Sequence, residues 1–219
     1  MKDSSKKLFV WDFHGVLEKG TERAGVIMCN NTLAAHGHEG RFTLSEFRDA
    51  YGLKLDQIFA RKLPHASKDN LNNLQRSFFD TEANGGWEII SKHIKQNDNV
   101  LDVLTAIKRN GHTQIVISNT TYESLQRFIH AVGIFTEGYC FAAGTHQADA
   151  AITKTTILSE YLKGKEFETT VIVGDSRGDM EMKQVGNATT YLYRHSHRSF
   201  DGIEADYKIR DLRKVLVEI

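Results

Sequence analysis

The first apolar run of the chain ends on a carboxylate, and this feature constrains the fold more than any other. The run Leu-Phe-Val-Trp starts at residue 8 and is followed by Asp12, and Gly15 lies three residues further on. A short apolar run without helical periodicity predicts a strand buried on both faces. Asp12 then stands at the carboxyl end of a strand, the edge at which open α/β sheets bind ligands. Gly15 permits a sharp turn there because it tolerates positive φ, although ordinary turns show the same pattern.

The rest of the pattern predicts an α/β protein with a helical insert. Residues 19–94 are helical in character, with a capping box at residues 43–46 and a helix cap at Ser67. After residue 94 strands and helices alternate, which predicts a doubly wound parallel sheet. We therefore expect a core of residues 1–18 and 95–219 and a helical module of residues 19–94. The predicted later strands are 114–118, 138–143, 169–174, 189–193 and 206–209, and the predicted later helices are 97–110, 121–132, 155–162, 179–185 and 212–217.

Composition excludes several classes of function. Lys+Arg and Asp+Glu both number 28 in the 219 residues, so the net charge gives no reason to expect a nucleic-acid or anionic-membrane partner. Cys29 and Cys140 are isolated, which favours neither a zinc site nor a disulfide framework. The charged N-terminus leads into an apolar run too short for a signal peptide, and no later run is long enough to span a bilayer. We expect a cytoplasmic monomer or homodimer.

Three later segments carry polar groups suited to phosphate chemistry. Ser118 follows the apolar residues 115–117, and its hydroxyl can donate to a phosphoryl oxygen. Lys154 offers positive charge. Asp175 and Asp179 follow another apolar run and stand four residues apart, so one helical turn can aim both carboxylates at one cation. Phosphoryl transfer needs a nucleophile and positive charge around the phosphoryl oxygens, and oxygen ligands beside a phosphate favour Mg²⁺.

In this order, the four segments resemble the motifs of the haloacid dehalogenase (HAD) superfamily of phosphohydrolases. The resemblance implies a Rossmann-like core with a cap inserted after the first strand. It also implies a small phosphorylated metabolite as substrate, as in the phosphoglycolate phosphatase branch, and an aspartyl-phosphate intermediate on Asp12. It assigns phosphate binding to Ser118, Asn119 and Lys154, with Lys154 also among the catalytic residues. It assigns the Mg²⁺ ligands to Asp12, the His14 backbone carbonyl, Asp175 and Asp179.

His14 departs from the family pattern. Most family phosphatases carry a second Asp at this position as general acid and base. An imidazole, with a reference pKa of ~6.5, can transfer protons near neutral pH, so we expect His14 to take that role. The alternative is that His14 only packs, which leaves a slow phosphatase or an enzyme that stalls at the intermediate. Family dehalogenases also lack the second Asp, but they need no metal, and the Asp175 and Asp179 pair argues against that activity.

Other interpretations stay open at the level of sequence. The same site suits a phosphomutase or a phosphonate hydrolase, or the chain is a non-catalytic HAD-like binding module. A phosphonate hydrolase would place a Schiff-base lysine in the cap, and the context distinguishes none of Lys54, Lys62 and Lys68. The helical insert alternatively serves only to stabilise the fold.

Individual residues also have simpler interpretations. In these alternatives, Asp12 and Asp175 only cap turns and Ser118 only caps the next helix. Lys154 is, in its alternative, a solvated surface lysine. The polar run at residues 194–198 follows a predicted strand at the same edge of the sheet. For this run we favour a solvated loop over a second anion site.

Overall fold

A parallel sheet forms the centre of the computed structural model. The structure describes residues 6–50, 52–134, 140–142, 152–185 and 187–219. Its strands, in chain order, are β1 (Leu8–Trp11), β2 (Glu18–Lys19), β3 (Lys95–Gln96), β4 (Thr113–Ser118), β5 (Cys140–Ala142), β6 (Thr170–Gly174), β7 (Ala188–Tyr193) and β8 (Tyr207–Ile209). The main sheet has the order β5-β4-β1-β6-β7-β8, and each of its described pairs is parallel. The predicted fold class is confirmed.

The first strand lies near the middle of this sheet and fixes its register. Val10 pairs with Ile115 on one side and with Ile172 on the other. Alternate residues of β1 point to opposite faces. Phe9 and Trp11 belong to one apolar cluster, whereas Leu8 and Val10 belong to the other. The strand is therefore buried on both faces, as the unbroken apolar run predicts.

Helices cover the sheet and fill the insert. In chain order they are α1 (Thr21–Ala35), α2 (Leu44–Asp49), α3 (Leu55–Lys62), α4 (Lys68–Thr81), α5 (Trp87–Ser91), α6 (Val100–Arg109), α7 (Tyr122–Val132), α8 (Lys154–Leu162) and α9 (Arg177–Glu181). The predicted caps are confirmed, because Thr43 and Glu46 bond reciprocally and Ser67 accepts from the Asn70 N–H. Among the described residues, no helix is both long enough and apolar enough to cross a membrane.

A short antiparallel ribbon was missing from the predicted elements. β2 and β3 pair where the chain enters and leaves the segment that holds α1 to α5. Beside the ribbon, the Asn97 side chain donates to the carbonyl of Val16 over 2.9 Å. Between Leu17 and Gln114 we expected no strand, and this was wrong, because strands of two residues are too short to show alternation.

The remaining boundaries differ from the predictions mainly at helix ends. The predicted helix 179–185 begins at Arg177 and continues as a 3₁₀ turn over Met182–Gln184. The predicted helix 212–217 is a 3₁₀ helix over Leu212–Glu218. The predicted strand 138–143 is observed over Cys140–Ala142, and its other residues lie outside the described part of the chain.

Candidate active site

The carboxyl edge of the sheet gathers the predicted polar residues. Asp12 directly follows β1, Ser118 ends β4 and Asp175 directly follows β6, and these strands are neighbours in the sheet. Lys154 is the first residue of α8, and Asp179 lies in α9. These five residues are at most 6% exposed. Because parallel strands end at one edge, residues far apart in sequence meet here.

Lys154 joins two of the carboxylates. Its Nζ lies 2.6 Å from Asp12 Oδ1 and 2.6 Å from Asp179 Oδ1. Burial disfavours the ammonium, but the Asp12 and Asp179 charges outweigh it, so the pKa of Lys154 is raised. Burial and the Asp179 charge raise the pKa of Asp12 to about 7, against the opposing effect of Lys154. Lys154 is therefore a buried residue that bridges two carboxylates, and its interpretation as a surface lysine was wrong.

The second oxygen of Asp179 is held by the turn after β6. Asp179 Oδ2 accepts from the Ser176 hydroxyl over 2.6 Å and from the Ser176 and Asp175 N–H groups over 2.9 and 3.2 Å. Gly174 makes this possible, since a Cβ there would lie 2.1 Å from the Asp179 Cβ. The orientation of Asp179 is thus fixed by the backbone around it.

Asp175 is held by two residues from the loop after β7. Its Oδ2 contacts His195 Nε2 at 2.8 Å and accepts from Arg198 Nη1 over 3.1 Å. Arg198 Nη2 also donates to the Asp175 carbonyl over 2.9 Å. Burial raises the pKa of Asp175, but the His195 hydrogen bond and the Arg198 charge outweigh it and lower this pKa. The solvated-loop interpretation was therefore wrong for His195 and Arg198.

The turn after Asp12 runs close against Asp175. Gly15 has a φ of 84°, as its place in a sharp turn predicts. A Cβ at Gly15 would lie 2.4 Å from Asp175 Oδ2 and 3.1 Å from His195 Nε2. A glycine is required here by both conformation and space.

His14 is oriented by a carboxylate that the sequence analysis missed. Its Nδ1 lies 2.9 Å from Glu18 Oε1, and Glu18 is 1% exposed. Glu18 also accepts from the Gly15 N–H over 3.2 Å and from the Thr21 hydroxyl over 2.5 Å. Burial alone would lower the pKa of His14, but the Glu18 hydrogen bond and charge outweigh it, so this pKa is raised. The spacing of four residues between His14 and Glu18 was the available signal.

Ser118 carries an unsatisfied hydroxyl beside Asp12. Its Oγ is buried and, in the described part of the chain, has no hydrogen-bond partner. It does not cap α7, because Thr121 caps that helix by accepting from the Ser124 N–H. A buried hydroxyl without a partner is costly, and an oxygen of a bound phosphate would satisfy it. The neighbouring Asn119 side chain donates to the Gly52 carbonyl in the insert over 3.5 Å.

The three aspartates fit a divalent cation. One carboxylate oxygen from each of Asp12, Asp175 and Asp179 lies within 4.8 Å of the others. Within the described ranges, Asp12 Oδ2 and Asp175 Oδ1 accept no hydrogen bond, although neither atom is fully buried. An oxygen-only set with two unoccupied carboxylate oxygens suits a hard cation such as Mg²⁺.

A cavity of about 920 Å³, including its open mouth, lies over this edge of the sheet. Its walls combine the edge residues with side chains of the insert, and Gly52 packs against Ser176 beside it. Of the insert lysines considered above, Lys54 lines the cavity, whereas Lys62 pairs with Glu46. The apolar lining consists of Met28, Phe47, Leu53, Leu55, Ile58, Phe78, Phe79, Ile90 and Phe128.

A family model and several solved structures resemble this chain. The family model described as haloacid dehalogenase-like hydrolase matches residues 9–192. A predicted phosphoglycolate phosphatase from Haemophilus somnus 129PT is 18% identical, with 99% of each chain covered and a TM-score of 0.76. A predicted phosphatase from Clostridium acetobutylicum is 13% identical, with 99% of this chain and 100% of the other covered and a TM-score of 0.75. A hydrolase from Deinococcus radiodurans R1, solved with phosphate and sodium, is 16% identical, with 97% and 94% covered and a TM-score of 0.64. These likenesses show a shared fold. No curated protein matches the chain.

Proposed function

Because the chain belongs to the haloacid dehalogenase-like hydrolase family, we propose that it is a Mg²⁺-dependent phosphatase acting on a small phosphomonoester. The observation that carries the proposal is the convergence of Asp12, Lys154 and the unsatisfied Ser118 hydroxyl in the lining of one cavity. A carboxylate, an ammonium and a hydroxyl donor are the groups that phosphoryl transfer through a covalent intermediate requires.

Asp12 is the proposed nucleophile. Its free Oδ2 attacks phosphorus while Lys154 holds Oδ1, and the bond between phosphorus and the alcohol oxygen breaks. The product is an aspartyl phosphate and a free alcohol. Water then attacks the same phosphorus, which releases inorganic phosphate and restores the Asp12 carboxylate. Ser118, Asn119 and Lys154 are the proposed phosphate contacts.

His14 is the proposed proton carrier for both steps. The imidazolium gives its proton to the leaving alcohol oxygen, and the neutral imidazole later takes one from the attacking water. Glu18 fixes the ring through Nδ1, which leaves Nε2 for the substrate. The raised pKa of His14 supports this role, because it keeps the acid form present near neutral pH.

Asp12, Asp175, Asp179 and the His14 backbone carbonyl are the proposed Mg²⁺ ligands. A bound Mg²⁺ would supply positive charge to the phosphoryl oxygens and would favour the ionised form of Asp12. His195 and Arg198 hold Asp175 Oδ2, so Asp175 Oδ1 would be the oxygen that binds the cation. Asp179 keeps Lys154 in place between the carboxylates.

Residues 19–94 are the proposed cap, with residues 1–18 and 95–219 as the core. The β2–β3 ribbon lies at the two crossings between these parts, and Gly52 of the cap contacts Asn119 and Ser176 of the core. A cap that contributes most of the apolar cavity wall would select among phosphomonoesters by their organic part. This supports a role beyond stabilisation.

Phosphate release from p-nitrophenyl phosphate and from phosphoglycolate, measured with Mg²⁺ and with chelator, tests the proposal. We expect release only with Mg²⁺, no release from Asp12→Asn, and wild-type release from Asp80→Asn, whose aspartate is exposed on α4. Turnover that survives in Asp12→Asn would refute the nucleophile assignment. A wild-type protein that binds phosphate but never releases it would favour the binding-module alternative, and transfer to a second sugar phosphate would favour a mutase.

One observation favours a second candidate function, phosphonate hydrolysis. Lys54 lines the cavity that Asp12 also lines, and its neutral amine would condense with a carbonyl of a phosphonate substrate to form a Schiff base and water. Borohydride reduction in the presence of phosphonoacetaldehyde, followed by mass spectrometry, detects that adduct. A stable adduct on Lys54 that is absent from Lys54→Arg would support phosphonate hydrolysis and contradict the phosphatase proposal.

A further inference from the structure

The cavity contains one acidic side chain that the phosphatase proposal does not use. Glu82 follows α4, lines the cavity that Asp12 also lines, and is 7% exposed. Its Oε1 accepts from the Ser124 hydroxyl. Across the described ranges of the chain, its Oε2 has no hydrogen-bond partner, yet this atom is not fully buried. A nearly buried carboxylate thus has one oxygen available to bind a ligand in the proposed substrate cavity.

The backbone at Glu82 also favours a positive ligand. Glu82 is the C-terminal cap of the 14-residue helix α4, where the helix dipole is negative. Beyond it the chain leaves helical geometry at Asn84 and at Gly85, whose φ is 141°. The carboxylate and the helix end therefore add negative potential to the same part of the cavity.

Phenylalanine rings line the same cavity as Glu82. Phe78 and Phe79 lie in the last turn of α4, directly before Glu82, and Phe47 and Phe128 of α7 also contribute to the lining. Ring faces attract cations, most strongly where water is excluded. A carboxylate among aromatic rings is the combination that binds ammonium groups well and anions badly.

The cations near Glu82 do not remove the preference of this carboxylate for an ammonium group. Arg127 stacks over the Trp87 ring at 4.7 Å, and the Nδ1 of His14 is already engaged by Glu18. Lys54 lines the cavity but is partly exposed, so water screens its charge. Burial raises the pKa of Glu82 and outweighs the Ser124 hydrogen bond and the charges of His14 and Arg127, which lower it. The nearby positive charge therefore does not fully compensate this carboxylate.

We propose that the substrate is a phosphomonoester whose alcohol part carries an ammonium group, bound by Glu82 Oε2 and the phenylalanine rings of the cavity. This inference rests on the proposed phosphatase function for the position of the phosphate. With its phosphate at Lys154 and its ammonium group at Glu82, such a molecule would place each charged end beside a residue of opposite charge. A second anionic group, as in phosphoglycolate, would meet the unpaired carboxylate instead.

A matched pair of esters tests the proposal. Phosphocholine and 3,3-dimethylbutyl phosphate have nearly the same shape, and only the first carries a cation. We expect kcat/KM for phosphocholine to exceed that for the neutral ester by about tenfold or more. This is the factor expected when a desolvated cation contacts a ring face beside a carboxylate. Phosphoglycolate should be the poorest of the three. Glu82→Gln should reduce the ratio of the first two at least about fivefold, whereas Glu88→Gln, at an exposed glutamate of α5, should leave the ratio unchanged.

A binding measurement keeps this inference separate from the phosphatase proposal. Calorimetry on Asp12→Asn gives the dissociation constants of both esters without turnover, and we again expect phosphocholine to bind about tenfold more tightly. A preference in binding without hydrolysis of any ester by the wild type would refute only the phosphatase function. Hydrolysis with equal or reversed preference, or a preference that survives Glu82→Gln, would overturn the inference.

Discussion

The pairing of His14 with Glu18 gives a prediction that separates a proton-transfer role from a packing role. Glu18→Gln keeps the shape of the side chain and an acceptor oxygen for His14 Nδ1, but it removes the charge. A hydrogen bond to a charged group contributes about 1–1.5 kcal/mol more than a neutral one. The pKa of His14 should therefore fall by about one unit, since one unit corresponds to about 1.4 kcal/mol. We expect kcat to fall about tenfold, and His14→Ala to lower kcat by about 10²–10⁴.

The pH profile of kcat gives the direction of the effect. The wild-type pKa of His14 is raised, so the acid form should persist as the pH rises to that value and activity should fall above it. In Glu18→Gln this basic limb should move to lower pH. The control is Glu22→Gln, because Glu22 pairs with Arg48 at 2.9 Å and has no bond to His14, and its profile should match the wild type.

The double variant provides the decisive comparison. If Glu18 acts through His14, the loss from Glu18→Gln should disappear in a His14→Ala background, because the two losses are not additive. Glu18 also holds Gly15 and Thr21, so the free energy of unfolding of each variant must be measured in parallel. Additive losses in kcat, or a basic limb that does not move, would contradict the proton-transfer role and leave His14 as a packing residue.

Other predictions concern the charges around Asp12. Lys154→Met should lower the free energy of unfolding by about 3–5 kcal/mol, because it leaves two buried carboxylates unpaired, and urea titration measures this loss. Gly15→Ala should cost about 1–2 kcal/mol for its left-handed conformation and also weaken Mg²⁺ binding in calorimetry, because the added Cβ displaces Asp175. Mg²⁺ at 100 times its dissociation constant should raise the free energy of unfolding by about 2.7 kcal/mol, and this gain should be absent in Asp175→Asn. Arg198→Ala should raise KM for Mg²⁺. Arg177→Ala should not, because the Arg177 side chain donates to the Gly202 carbonyl at 3.1 Å and, among the described residues, to no carboxylate of the site.

Strand ends made the centre of the site predictable. Asp12, Ser118 and Asp175 each come at the end of an apolar run, and parallel strands bring such positions to one edge. Lys154 has no such local signal, and only its place in the order of the four segments singled it out. The fold class followed from the same alternation, because burial on both faces leaves a continuous apolar run in the sequence.

The residues that were missed act through partners rather than through a pattern of their own. Glu18 shows its role only through its contacts with His14, Gly15 and Thr21, and it lies in the ribbon that brings residues 95–97 beside it. His195 and Arg198 follow β7, which neighbours β6 in the sheet, so their loop ends beside Asp175. Chain order alone does not give this strand order, and so the sequence did not show which carboxylate the loop would reach. Basic residues in a loop are usually solvated, and composition gives no sign of the exception.

The charges at the sheet edge connect these missed residues to metal binding. Asp12, Asp175 and Asp179 bring three carboxylates to the edge, whereas Lys154 and Arg198 bring two permanent cations. Burial destabilises a carboxylate whose charge is not compensated. The lack of positive charge at this edge raises the pKa of Asp12 to about 7. A divalent cation would supply the missing positive charge and permit Asp12 to remain ionised as a nucleophile. The elevated pKa of Asp12 should therefore fall on Mg²⁺ binding, and titration of its carboxyl carbon by NMR with and without Mg²⁺ measures that change; a pKa that stays near 7 with Mg²⁺ bound would contradict the assignment of Asp12 as a metal ligand.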